Sequence, residues 1–200
     1  DSKINLKNNL LLIDFLDYEK KEGLDSLVLI KGGFKKNNQL RFDLISLNEN
    51  NNEISIKGLD LSKSFKIKDI QNFNINYKNN NNILNDLSIK KNNSNFIIKG
   101  ESFDVSRIIN NIMDNEDESS TIFENLNSRI KINIKKTYID EVNYVNNLYG
   151  NIDFNNNKIN DLKLESTFPN DKKINMSIKT NNNSETTTRL FSGYPKPLIK

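Results

Sequence analysis

Apolar and polar residues alternate along most of this chain with a period of two. From Arg129 the row reads Arg-Ile-Lys-Ile-Asn-Ile-Lys, so an extended backbone puts Ile130, Ile132 and Ile134 on one side and Lys131, Asn133 and Lys135 on the other. Ile174, Met176 and Ile178 alternate in the same way. Phe73, Ile75 and Tyr77 stand against Asn72, Asn74 and Asn76, Ile54 and Ile56 precede Gly58, and Ile97 sits in the apolar run before Lys99-Gly100. Such stretches, recurring about every 8–12 residues, predict an antiparallel sheet with one dry and one wet face. Two stretches, Leu10–Ile13 and Leu27–Ile30, are apolar on both faces and predict strands that lie centrally under a cover.

One segment changes period. Val105, Ile108, Ile109, Ile112 and Met113 follow helical spacing, with Asp104 or Ser102 placed as N-cap, so the pattern predicts an amphipathic helix at about 104–113. The acidic run Asp114–Glu118 that follows reads as a solvated loop; it lacks the glycine and distal glutamate of an EF-hand. Asn runs at 50–52, 79–82, 155–157 and 181–183 fall between strands, where Asn tolerates left-handed backbone and serves as a turn residue. An Asp-Leu strand, a polar turn and a second strand ending in Lys recur three times at irregular spacing, which favours a long meander of hairpins over a solenoid of fixed period. The expected fold is therefore dominated by β-structure. It is a long, curved antiparallel sheet, a groove or taco-like meander, with the one short helix. Residues 1–100 would supply N-terminal strands, 101–120 the helix and acidic loop, and 121–200 C-terminal strands of a single segment.

Composition narrows the chemistry. Among 200 residues there is no His, Cys, Trp or Ala, and about a fifth are Asn. Nucleophilic triads, cysteine–histidine pairs, the usual zinc sites and disulfides are thereby excluded. The net charge of +3 is too small for the electrostatic footprint of a nucleic-acid binder. Carboxylate pairs at Asp14 with Asp17 and at Asp140 with Glu141 supply no facing geometry by sequence proximity, and charged residues are the default at strand edges. Lys31-Gly32-Gly33-Phe34 matches no phosphate-cradling motif and reads as a turn or bulge. No catalytic residue, metal or cofactor is expected. The chain opens on Asp1 and carries no apolar run of membrane-spanning length, so it reads as a segment whose targeting information lies upstream.

What remains is a surface argument. A single-layer sheet must hide its apolar face against helices, another sheet or an apolar ligand. About ten residues of helix cover only part of so long a face. Acyl chains are the obvious occupant, with Ile54, Ile56, Phe73, Ile75, Ile97, Ile130, Ile132, Ile134, Ile174, Met176 and Ile178 as lining candidates.

Residues 95–164 carry a recognisable order of features. A strand ends in Lys99-Gly100, Ser102-Phe103-Asp104-Val105 opens a helix, and strands follow at Ser128–Ile134, Leu148–Phe154 and Ile159–Leu164. This order resembles the AsmA-like family, in particular its large YhdP-type members. The resemblance implies a repeating β-groove protein of the bacterial cell envelope, on the periplasmic side and anchored at the inner membrane by an N-terminal helix absent here. It further implies phospholipid, or another acyl-chain lipid, moving along a hydrophobic trough toward the outer membrane, with envelope proteins as further partners and no catalytic residues. The alternative is a structural or adhesive β-sandwich or β-solenoid module with a self-buried apolar face. A carbohydrate-active enzyme comes third, since it needs facing carboxylates in an aromatic cleft and the aromatic share is only 8%.

Overall fold

The computed structural model describes residues 1–35, 39–107, 122–181 and 185–196. Alternation dictates the outcome, an all-β chain. Its strands are β1 (Ser2–Asn5), β2 (Leu11–Ile13), β3 (Tyr18–Lys20), β4 (Ser26–Phe34), β5 (Leu40–Glu49), β6 (Asn52–Leu61), β7 (Ile67–Asp69) and β8 (Asn72–Lys78). They continue with β9 (Leu84–Asn92), β10 (Asn95–Asp104), β11 (Ser128–Tyr138), β12 (Tyr144–Asn155), β13 (Lys158–Thr167), β14 (Lys173–Thr180) and β15 (Thr186–Ser192). Thirteen of them form one open sheet in the order β1-β4-β5-β6-β8-β9-β10-β11-β12-β13-β14-β15, with β7 paired to β6. At about 4.8 Å per strand this path is roughly 50 Å long. The strands before residue 100 and those after residue 127 belong to one sheet, because β10 pairs both β9 and β11.

Asn makes the turns at three of its four runs, as they predict, and Asn182 and Asn183 of the fourth lie outside the described residues. Asn156 and Asn157 both have positive φ and form a two-residue hairpin between β12 and β13, a job usually left to Asn-Gly. Asn50, Asn82 and Asn93 do the same work at three other turns. At some positions glycine permits close approach. A Cβ on Gly150, at φ +152°, would lie 1.9 Å from the Lys163 carbonyl oxygen, so no other residue fits there. The Gly32-Gly33 pair sits at a β-bulge of β4, in keeping with its sequence reading.

One expectation needs correction, and a second is met by the described residues only at its start. The sheet is mixed rather than purely antiparallel, because β10 and β11 run parallel, and the connection 105–127 returns the chain from one end of the sheet to the other. The helix expected at 104–113 is not established. Asp104 closes strand β10, and among the described residues of this range Ser106 and Arg107 have helical backbone, with the Asp104 carboxylate accepting the Ser106 N–H at 2.9 Å. Residues 108–113 and the acidic run 114–118 lie outside the described residues.

Candidate functional site

Register assembles the alternating residues into rows that run across the strands. The first row on the apolar face joins Val28, Leu47, Ile54, Ile75, Leu87, Gly100, Ile134 and Leu148. Two residues along each strand, the second row runs from Ile30 through Ile45, Ile56, Phe73, Ile89, Ile98, Ile132 and Gly150. It ends on Leu164, Met176 and Leu190 at the β15 edge. A third row joins Phe96, Ile130, Ile152, Leu162 and Ile178. Short alternating segments far apart in sequence thus become one continuous apolar surface.

Burial differs between the rows. In the first, Leu47, Ile54, Ile75, Leu87 and Ile134 are buried, because residues 6–20 fold over them. That cover consists of the β2–β3 hairpin with a 3-10 turn at Asp14–Leu16 between its strands. Leu16 and Tyr18 are buried in the same cluster, and Leu6, Leu11 and Ile13 pack against it. The doubly apolar stretch Leu10–Ile13 is therefore part of the cover and not a central strand beneath one. Its outward residues Leu10, Leu12 and Phe15 stay exposed. In the second row Ile30, Ile45, Ile56, Phe73, Ile89, Ile98, Ile132, Leu164 and Met176 are only half-buried. Toward the opposite end, the segment 122–127 bridges Ile67 to Phe123 and donates the Leu126 N–H to Asn157, placing Phe123 and Leu126 in one shallow cleft with buried Phe96.

Polar contacts that sequence reading did not foresee anchor the cover. Lys20 is 0% exposed and its ammonium donates to the carbonyls of Leu6, Lys7 at 3.0 Å and Asn9 at 2.7 Å, closing the turn before β2. Tyr18 donates to the Glu49 carboxylate at 2.5 Å, and the Tyr77 hydroxyl donates to the Leu16 carbonyl. The two tyrosine rings meet edge to face at 5.2 Å. Burial, reinforced by Glu49, raises the Tyr18 phenol well above its ordinary range; burial also raises Tyr77, helped by the carboxylates of Asp17 and Asp104. Arg107 holds Asp17 at 2.7 Å, tying the cover to the start of the long connection. In the sequence Lys20 and Tyr18 are merely alternate positions of a short charged strand, and nothing there announces their burial.

Ten of the eleven lining candidates lie together on the apolar face. Ile54, Ile75 and Ile134 are in the covered row, while Ile56, Phe73, Ile132 and Met176 are in the half-buried one. Ile130 and Ile178 belong to the third row, and Ile174 shares the face on β14. Ile97 does not belong with them. It pairs with Lys90 and Lys131, and so stands on the polar face between its apolar-face neighbours Phe96 and Ile98. A run of three apolar residues hides its parity, and only register resolves it. Among the described residues no cluster of three or more Asp, Glu, His or Cys could hold a metal ion, and no helix is long and apolar enough to cross a membrane. No family model, no curated protein and no solved structure matches the chain.

Proposed function

We propose that this chain is a non-enzymatic lipid-binding segment whose apolar sheet face receives acyl chains. The observation that carries the reading is the second row, a line of large aliphatic and aromatic side chains across the sheet interrupted only at Gly150, left half-buried between two covered ends. A row of this kind offers an acyl chain continuous apolar contact at about 25 cal/mol per Å² of surface removed from water. It has no polar group to bind a headgroup, so the headgroup stays in water. The resemblance of residues 95–164 to AsmA-like proteins supports placing the segment in a bacterial envelope, where it would pass phospholipid between inner and outer membranes. The alternative, an adhesive or structural module, calls for two stacked sheets or parallel coils; a single thirteen-stranded sheet with one parallel pair favours the trough.

The test is lipid occupancy. The purified chain, incubated with phospholipid vesicles and separated from them, is extracted and its lipids are identified by mass spectrometry. The reading expects bound phospholipid that is lost when Met176 and Ile132 are both replaced by Asp. A lipid-free protein, or occupancy indifferent to the substitutions, contradicts it.

A further inference from the structure

The polar face carries an order of its own. Lys31 on β4, Lys57 on β6, Lys90 on β9, Lys131 on β11, Lys163 on β13 and Arg189 on β15 fall on one line across the sheet. The positions between them are Leu44, Asn72, Ile97, Asn151 and Ser177, so a cation stands on every second strand and no acid interrupts the row. All six cations are exposed, and among the described residues only Lys163 has a carboxylate partner, Glu165 at 3.2 Å. Spacing them by a neutral residue removes the penalty for like charges directly opposite. The adjacent row adds Lys99, the exposed aromatics Tyr149 and Phe191, and one acid, Glu165, which accepts the Tyr149 hydroxyl at 2.6 Å and also pairs with Lys163.

We propose that this face binds a linear acidic polysaccharide along the cation row. Charge complementarity calls for a polyanion, and the geometry chooses among polyanions. Strands twist by about 20–25° each, so over the ten steps from β4 to β15 the row winds through on the order of 200°, and a planar membrane touches only a few of its cations. A flexible chain follows the whole row. The cations recur about every 10 Å, two strand spacings. A nucleic-acid strand carries a charge roughly every 3.4 Å and leaves most of its phosphates unmatched there. A polysaccharide with one carboxylate per disaccharide is charged as sparsely as the row. Its hydroxyls suit Asn151 and Ser177, and its apolar ring faces suit Tyr149 and Phe191. The proposal is independent of the lipid reading, which concerns the opposite face.

Fluorescence polarisation with labelled hyaluronate oligosaccharides at low salt tests it, with polyuridylate and anionic phospholipid vesicles as rival ligands. Wild type is expected to bind hyaluronate saturably and more tightly than polyuridylate, and any vesicle binding is expected to be unchanged by loss of the row lysines. The triple variant Lys57→Gln, Lys90→Gln, Lys131→Gln should bind at least tenfold more weakly, with a log–log salt slope shallower by up to about three, one per lysine removed. A control of equal charge change off the row, Lys21→Gln, Lys158→Gln, Lys172→Gln, should stay within twofold of wild type. Absence of hyaluronate binding, tighter binding of polyuridylate, vesicle binding that the Lys57, Lys90, Lys131 variant weakens as much as it weakens hyaluronate binding, or equal losses in the two triple variants overturns the proposal.

Discussion

Truncating one isoleucine in the covered row and one methionine in the half-buried row separates the two states of the apolar face. Ile75 is 2% exposed, lies between Ile54 and Leu87 in register, and shares its cluster with Leu16 and Tyr18 of the cover. Two cross-strand neighbours and an anchored cover cannot collapse into the space that Ala leaves, so Ile75→Ala should cost about 3–4 kcal/mol, in the upper half of the range for such changes. Met176 keeps much of its surface in water, and Met176→Ala should cost only about 1–1.5 kcal/mol. For a chain of this length each kcal/mol moves Tm by roughly 2–4 °C, giving shifts of about 10 °C and about 3 °C. Thermal unfolding followed by circular dichroism, with urea titrations to check that the m-value is unchanged, measures both. Equal shifts, or a cost below about 1 kcal/mol at Ile75, would refute the claim that the cover seals the first row and not the second.

Three further outcomes follow from the anchors and the backbone. Lys20→Met preserves the length of the side chain but strips three carbonyls of their donor; a loss of about 2–4 kcal/mol is expected, with faster hydrogen exchange in residues 6–20 and unchanged exchange in β12–β14. Gly150→Ala forces a Cβ against the Lys163 carbonyl and should cost about 3 kcal/mol or more in a denaturant titration, whereas Gly33→Ala, with open space around it, should cost far less. Tyr18 and Tyr77 keep their protons in the folded state at a pH where the unfolded chain has lost them. Their contribution is thus complete below about pH 10 and falls above it by about 1.4 kcal/mol per pH unit for each tyrosine. A spectrophotometric titration should show these two of the six tyrosines ionising only as the circular dichroism signal collapses, and early ionisation of all six would contradict their burial.

The strands, the turns and most of the apolar face were legible in the sequence because each depends on local parity. Ile130, Ile132 and Ile134 must share a face once the chain is extended, and Asn156-Asn157 must turn where two strands meet. Ile97 was not legible, since its apolar neighbours on both sides leave parity to be fixed by pairing with Lys90 and Lys131. The role of Leu10–Ile13 is hidden in the sequence for a related reason. An apolar stretch facing both ways fits a buried strand or a cover with a bare outer side, and only the long-range contacts of Tyr18 and Tyr77 decide between them. The parallel pairing of β10 with β11 depends on where a long connection ends, and the cation row on the register of eleven strands at once. Neither is a property of any one segment.

Ile97 and Ile98 are adjacent in sequence and stand on opposite faces, which makes them the most direct test of the central claim. A photo-crosslinking benzoylphenylalanine placed at each position in turn, with the protein loaded with phospholipid and irradiated, reports which face the acyl chains touch. A lipid adduct is expected by mass spectrometry from position 98 and none from position 97. Adducts of equal yield at both positions, or at position 97 alone, would contradict the claim.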